Sequence, residues 1–304
     1  MGAPLLLIDT NFLCHRAFHS MGDMSFEDMG TGAVFGVLRD IVSLQEEFNT
    51  GRCVFAFDVG RGHRHDLLPT YKSTRRKRYA EENDDERAAR ADFKKQITFL
   101  RIRYLPQAGF QNVFSARGFE ADDIIAAIAA ALPRNEEAII IGSDKDLWQC
   151  LRSNVWCWNP TQHKACTIES FRKKWGIEPA QWADVKAYAG CRTDDIPGVP
   201  GIGDVTAAKH IRGELGKHTK AYAALARAEL QCAYNRPLVS LPFSGTPTFE
   251  IKPDTVTEEK WQALADRLGM RSMRSTVPRT ATRKMRGRKR DKEKIKEGFG
   301  FGAY

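Results

Sequence analysis

The pattern of apolar and polar positions divides the chain into short buried strands and longer amphipathic helices. Residues 4–8 (Pro-Leu-Leu-Leu-Ile) form a continuous apolar run of strand length, as expected of a strand covered on both faces, and Asp9 follows at once. Residues 31–48 repeat at helical spacing, with Val34, Val37, Leu38, Ile41, Leu44 and Phe48 on one side. A second buried-strand pattern at 53–57 ends in Asp58. A third, at 138–141, leads through Gly142 and Ser143 to Asp144, with Asp146 two residues on. Short runs at 155–158 and 165–168 predict a hairpin, and mostly helical patterns follow, including an amphipathic one at 257–270. Strands alternating with helices predict an α/β fold around an open, largely parallel sheet. Ligands of such sheets gather outside the carboxyl ends of the strands, and three strands each deliver an aspartate to that edge.

The densest acidic stretch is Arg117-Gly-Phe-Glu-Ala-Asp-Asp123, which places Glu120, Asp122 and Asp123 just before the apolar helix pattern of 124–132. Taken alone, it reads first as a helix cap, since acids favour the positive end of a helix. Capping does not explain carboxylates at the ends of strands, however. Acids packed together resist ionisation unless a cation offsets their repulsion, so the combination predicts a metal site.

Residues 59–103 form a long charged insertion holding Tyr71-Lys-Ser-Thr-Arg-Arg-Lys-Arg-Tyr79 and then an acidic run at 81–86. A solvated helix pair laced with ion pairs would have this pattern. A connection of this length is nevertheless uncommon without a function, and basic residues interleaved with tyrosines suit phosphate contact and base stacking. In Asp194-Asp-Ile-Pro-Gly-Val-Pro-Gly-Ile-Gly-Asp-Val-Thr-Ala-Ala-Lys-His-Ile211, Gly198, Gly201 and Gly203 allow a tight turn into a helix starting near Asp204, whose free N–H groups can bind phosphate.

Charge sharpens this picture. The 304 residues carry 47 Lys and Arg against 38 Asp and Glu, a net +9. Residues 276–304 hold ten basic and three acidic residues, a surplus of seven that leaves the body near neutral. A cationic tail beside acidic clusters suggests a polyanionic partner, and the tail from 271 is too charged to fold alone. No apolar run approaches membrane-spanning length and no signal-peptide pattern opens the chain. The expectation is a cytoplasmic protein without membrane contact, with seven reduced cysteines in no regular spacing. Cys150, Cys157, His163 and Cys166 match no common zinc pattern.

Together and in order, these motifs resemble the structure-specific 5′-nucleases: flap endonucleases, bacteriophage 5′-exonucleases and the 5′-nuclease domain of bacterial DNA polymerase I. Asp9 in Ile-Asp-Thr-Asn and Asp58 in Ala-Phe-Asp resemble the family's strand-end aspartates, and Arg117 to Asp123 resembles its Gly-aromatic-Glu-Ala-Asp-Asp signature. The stretch from Ser143 to Leu151 is similar to its Asp-x-Asp motif, and Asp194 to Ala208 to its DNA-gripping helix-turn-helix. Tyr71, Lys72 and Arg75 fall where phage members carry their arch residues. The resemblance covers about residues 5–270 and implies a PIN-like, mostly parallel sheet flanked by helices, with a helical arch and a C-terminal helix-turn-helix (H3TH) region. The implied division is a catalytic core at 1–180 with the arch at 59–103, a DNA-binding region at 181–270, and a disordered tail at 271–304.

What the resemblance implies is Mg²⁺-dependent 5′-3′ exonuclease and flap endonuclease action by two ions, with Mn²⁺ able to substitute, on branched or 5′-ended DNA. Whether RNA–DNA hybrids are also substrates stays open, and a monomer is expected. Asp9, Asp58, Glu120, Asp122 and Asp123 are assigned to one metal region, and Asp144, Asp146 and Asp194 to the other. Lys72 and Arg75 would contact the scissile phosphate and Tyr71 would stack a terminal base. Arg76, Gly201, Gly203 and Lys209 would hold DNA, with backbone carbonyls of Val199 and Ile202 as the potassium position. One departure stands out: the chain reads Gly190-Cys191 where the family has Gly-Asp. A thiol replaces a carboxylate poorly around Mg²⁺, so a weak second site is expected, with relatively better activity in Mn²⁺. Asp195 is the nearest acid that could compensate. The alternative is a DNA-structure-binding protein that has lost catalysis, against which eight retained acids argue. A PIN-type ribonuclease fits the arch and glycine-rich turn poorly, and a haloacid-dehalogenase-like phosphatase would require a second acid where Asn11 stands.

Overall fold

The strand at residues 5–9 is central because both of its edges and both of its faces are covered by apolar neighbours. The computed structural model describes residues 2–22 and 24–279. Its strands are β1 (Leu5–Asp9), β2 (Ser25–Phe26), β3 (Met29–Gly30), β4 (Cys53–Ala56), β5 (Val113–Phe114), β6 (Ala138–Ile141), β7 (Val155–Asn159) and β8 (Lys164–Cys166). Six of them form one sheet in the order β5-β4-β1-β6-β7-β8, parallel except for the β7–β8 hairpin, while β2 and β3 pair as a small separate ribbon. Leu7 of β1 sits opposite Val54 on one side and Ile140 on the other. The carboxyl ends of β1, β4 and β6 therefore lie next to one another.

The helices are α1 (Thr10–Met21), α2 (Gly32–Glu47), α3 (Arg64–Leu67), α4 (Ser73–Ala80), α5 (Asp84–Phe99), α6 (Leu105–Ala108), α7 (Ala121–Ala131), α8 (Ile168–Trp175), α9 (Trp182–Ala189), α10 (Asp204–Ile211), α11 (Lys220–Ala226), α12 (Glu229–Val239) and α13 (Glu258–Arg267). The expected helices at 31–48 and from Asp204 appear as α2 and α10 within a residue, while α7 starts three residues before the apolar run at 124 and α13 ends three residues before 270. Helix α1 was not singled out, because its polar positions are spread among Phe12, Leu13 and Phe18; Asp9 starts it by accepting the Phe12 N–H at 3.0 Å. The charged insertion forms the short α3 and the longer α4 and α5. Asn83 and Glu86 make a reciprocal cap between the latter two, so the acidic run serves as a helix start rather than a disordered loop.

Helices α9 and α12 pack together and close one side of the sheet's carboxyl edge. A small apolar core there joins Tyr71 to Ala183, Ala187, Ile196, Leu238 and Val239, so the expected boundary near 180 is crossed by continuous packing. Gly198 is required in this region: a Cβ on it would lie 2.0 Å from the Ala189 carbonyl oxygen.

Residues 271–279, expected to begin the disordered tail, instead fold back onto the body. Met273 is buried and its carbonyl accepts the Trp261 indole N–H at 2.8 Å, while the Arg279 N–H reaches Gln45 at 2.7 Å. Apolar Met273 and Val277 supply the contact that the surrounding charges obscured in the sequence. The rest of the expected tail, 280–304, lies outside the described residues.

Candidate active site

The topology brings the strand-end acids to one place. Asp9 ends β1, Asp58 lies two residues beyond β4, and Asp144 three residues beyond β6. The start of α7 adds Glu120 and Asp122, the turn after β6 adds Asp146, and the loop after α9 adds Asp194. All seven line a single cavity of about 400 Å³, together with Arg64, Lys72, Arg75 and Arg78. Backbone and amide groups hold several of them. Ala121 N–H donates to Asp58 at 2.7 Å, the Asn11 amide donates to the other Asp58 oxygen at 3.2 Å, and Asp146 N–H donates to Asp144 at 2.8 Å.

The charges divide into two groups. Burial opposes ionisation of Glu120, but Lys72 and Arg64 outweigh it and hold this carboxyl below its ordinary value. Lys72 Nζ lies 2.5 Å from Glu120 and 3.7 Å from Asp194. The other acids lack such close compensation. Burial, with Asp58 alongside, pushes Asp9 up to about 7; burial, with Asp144 alongside, does the same to Asp146. Burial also raises Asp58, and burial with Asp144 raises Asp122. Asp194 is raised by burial in spite of Lys72. Asp122 Oδ1 is buried with no hydrogen-bond partner among the described residues. Crowded carboxylates with an orphaned oxygen fit a hard divalent cation, which takes oxygen donors and supplies the missing positive charge. Cys191 joins Asp146 and Asp194 to present three potential donor atoms within 4.8 Å of one another.

Several expected roles change. Asp123 is not on the cavity. It is fully buried, forms a bidentate pair with Arg64 at 2.7 and 2.8 Å, and accepts the Glu120 and Phe243 N–H groups at 3.0 and 2.9 Å. Both oxygens are used by protein donors, which removes it from the metal set and makes it a structural acid. Tyr71 is 2% exposed and gives its hydroxyl to Glu120 at 2.8 Å, so its ring is covered and orients a carboxylate rather than stacking a base. Asp195 does not compensate for Cys191. Its carboxylate accepts from Thr74 N–H at 2.7 Å and Thr74 Oγ1 at 2.6 Å at the start of α4. Lys72 occupies the N-cap position of α4 without a side-chain acceptor, and Asp195 supplies that acceptor from another loop.

Arg75 faces the cavity as expected, whereas Arg76 lies outside it, bonded to the Pro69 carbonyl at 2.9 Å. Gly201 and Gly203 are exposed in the turn before α10, and Lys209 is exposed on that helix. Val199, Gly201 and Ile202 line a separate open groove of about 520 Å³. Sequence reasoning missed Arg64, Arg78 and Lys186. Lys186 stands 3.9 Å from Asp146 and 3.7 Å from Asp204. Its only sequence signal is a lone cation on helix α9, whose remaining residues are apolar apart from Asp184 and Tyr188.

An acid-lined cavity at the carboxyl edge of a largely parallel sheet, roofed by a basic helix, defines a resolvase-like fold. A family model of the 5′-3′ exonuclease, N-terminal resolvase-like domain, matches residues 4–176, and the chain belongs to this family. The chain is 32% identical over 265 residues to DNA polymerase I of Chloroflexus aurantiacus, an alignment covering 79% of this chain but 26% of the polymerase. It thus spans about a quarter of that relative's length. It is 30% identical over 208 residues to a 5′-3′ exonuclease of Buchnera aphidicola, covering 67% of this chain and 68% of the relative. The bacteriophage T5 D15 flap endonuclease, solved with DNA and metal ions, superposes with a TM-score of 0.67 at 22% identity, covering 89% of this chain and 96% of that one.

Two measurements test this assignment of charges. Asp123→Ala leaves Arg64 buried without its partner and is expected to cost roughly 3–5 kcal/mol in urea unfolding. A stability within about 1 kcal/mol of the parent, combined with lost metal binding, would return Asp123 to the ligand set. The second concerns pH. Asp9 and Asp146 are raised in the folded chain from 3.8 to about 7. The metal-free protein therefore loses stability as pH rises through that interval, where the unfolded chain has already released these protons. A divalent cation needs the ionised acids, so the rise in Tm that Mn²⁺ produces should grow from about pH 5 to about pH 7 and then level off. A metal-induced shift independent of pH would show that these acids are already ionised.

Proposed function

We propose that the protein is a divalent-metal-dependent, structure-specific 5′-nuclease that hydrolyses phosphodiesters of branched or 5′-ended DNA, with Mg²⁺ as its ordinary ion. The observation that carries this reading is the cavity itself, in which under-compensated carboxylates face Lys72 and Arg75 across about 400 Å³. Divalent ions held there would activate water and neutralise charge on the phosphate. Asp9, Asp58, Glu120 and Asp122 are the residues proposed to hold one ion, and Asp144, Asp146 and Asp194 contribute to the other.

The chain's own groups account for the remaining requirements. Glu120 keeps Lys72 charged and fixed at the cavity wall, because the attraction of Glu120 and Asp194 outweighs the cost of burying the ammonium. Lys72 and Arg75 are thereby presented to an incoming phosphate, where their charge stabilises the developing negative charge of the transition state. Arg78 and Tyr79 extend the same cavity along the arch helix α4. The exposed turn at Gly201 and Gly203, with Lys209, is proposed to hold the duplex backbone without reading bases, with K⁺ on the carbonyls of Val199 and Ile202. The basic stretch at 280–304 adds non-specific polyanion affinity.

The deciding experiment compares cleavage of a 5′-flap substrate in Mg²⁺ with binding of the same substrate in Ca²⁺. Asp122→Asn should abolish cleavage and retain binding. If Asp122→Asn cleaves at the parent rate, the carboxylate cavity is not the reaction centre. If the parent binds flaps but cleaves none in any divalent ion, the binding-protein reading replaces this one. Lys72→Ala should lower the single-turnover rate by about 10²–10³ while weakening binding far less, since its charge acts mainly in the transition state. Equal losses in rate and affinity would reduce Lys72 to a ground-state phosphate contact.

A further inference from the structure

The loop that returns from α9 sets one sulfur atom among the carboxylates. Cys191 Sγ lies 3.6 Å from Asp194 Oδ2 and 3.1 Å from Thr193 Oγ1. The sulfur, one Asp146 oxygen and one Asp194 oxygen are all within 4.8 Å of one another. Donors on one zinc-sized ion, bonded at ~2.3 Å by sulfur and ~2.0–2.2 Å by oxygen, stand no more than about 4.5 Å apart. Tetrahedral donors stand about 3.5 Å apart, so the Cys191–Asp194 separation of 3.6 Å already matches and closing the set requires Asp146 to swing inward. The backbone that carries it is held firmly: Cys191 and Ile196 exchange N–H···O bonds of 3.0 and 2.9 Å, and Lys72 N–H donates to the Asp194 carbonyl at 2.9 Å.

The neighbouring groups favour the sulfur as a ligand rather than a bystander. Asp195, the nearest acid that could replace it, is committed to Thr74 at the start of the arch helix. Lys186 sits between Asp146 and Asp204 and offsets part of their charge, so the site has less negative charge than an all-carboxylate one. A lower charge and a thiolate both disfavour Mg²⁺, which demands hard oxygen donors and sheds its water reluctantly. The same two features suit ions that accept sulfur.

We propose that Asp146, Cys191 and Asp194 form a mixed carboxylate–thiolate site for a thiophilic divalent cation of the zinc or cobalt type. The second metal position then favours a softer ion than the all-oxygen position around Asp9, Asp58 and Asp122. On binding, the Cys191 thiol gives its proton to solvent and its sulfur lone pair to the ion, with no change of oxidation state. The proposed role of this position as the nuclease's second metal rests on the functional reading above; the site itself stands on its three donors.

The test titrates the metal-free full-length protein with Co²⁺ and follows sulfur-to-cobalt charge-transfer absorption in the near ultraviolet. The parent should develop the band, and Zn²⁺ should remove it at near-stoichiometric amounts while excess Mg²⁺ does not. Cys191→Ser should lack the band, and Cys191→Asp should lack it and lose at least about tenfold of the preference for Co²⁺ over Mg²⁺. Cobalt binding without the band in the parent overturns the proposal. So does a band that survives in Cys191→Ser, which would place the sulfur at Cys150 or another thiol. Absence of any cobalt binding overturns it equally. Because the readout is spectroscopic, a chain inactive on flaps can still show the band, and an active nuclease without the band refutes only the thiolate site.

Discussion

The buried pair between Arg64 and Asp123 is the interaction on which the rest of the site depends. Arg64 is 4% exposed and Asp123 fully buried, and the guanidinium also donates to the Leu238 carbonyl at 2.8 Å. One charge pair therefore ties the start of α7 to the base of the charged insertion and to the end of α12. A pair taken out of water is tolerable only when its remaining hydrogen-bonding capacity is met, and here four protein donors satisfy the carboxylate. Because Asp123 fixes the Glu120 N–H, it also sets where Glu120 enters the cavity. The cost of losing Asp123 falls on architecture, whereas the adjacent Asp122 keeps a buried oxygen without a protein partner among the described residues and is proposed to serve a cation.

Around that anchor the site keeps a deliberate imbalance. Glu120 receives two nearby cations that hold its carboxyl below its ordinary value, while burial and neighbouring carboxylates raise Asp9, Asp58, Asp122 and Asp146, the last in spite of Lys186 at 3.9 Å. If Lys72 and Arg64 stood among the latter group, the cavity would be neutralised by the protein and would have little affinity for a divalent ion. Their placement on the Glu120 side keeps the attraction for an external cation while still putting positive charge where a phosphate would enter. The affinity of the cavity for metal and its tolerance of a polyanion thus come from the same partition of charge.

The central strands were legible because a strand buried on both faces must be apolar throughout, and each carried an acid at its end or within three residues beyond it. Topology then did what composition alone could not: pairing β1 with both β4 and β6 set Asp9, Asp58 and Asp144 side by side. Less legible were residues whose role depends on contacts distant in sequence. Tyr71 reads as an exposed aromatic in a basic run, yet its ring is buried by α9 and α12, more than a hundred residues away. Arg64 lies in Arg-Gly-His-Arg-His, where nothing distinguishes the buried arginine from its solvated neighbour Arg61. Asp123 and Asp122 have the same chemistry in adjacent positions, and only the helical turn between them decides which one faces Arg64. Met273 and Val277 were hidden by their charged surroundings, since two apolar residues give no periodicity to detect.

The base of the arch and the second ligand loop form one mechanical unit. Lys72 donates its N–H to the Asp194 carbonyl at 2.9 Å, and Asp195 in turn caps α4 through Thr74. Lys72 takes a left-handed backbone conformation at this junction, with φ of 51°, which a non-glycine residue holds only when its surroundings enforce it. The paired bonds to Asp194 and Asp195 supply that enforcement. A displacement of α4 away from the cavity would therefore pull on the loop carrying Asp194 and Cys191, and would carry Lys72 away from Glu120. The Lys72 charge and the Asp194–Cys191 loop are in this way set by the same few backbone bonds, so in the proposed nuclease substrate positioning and cation geometry would vary together rather than independently.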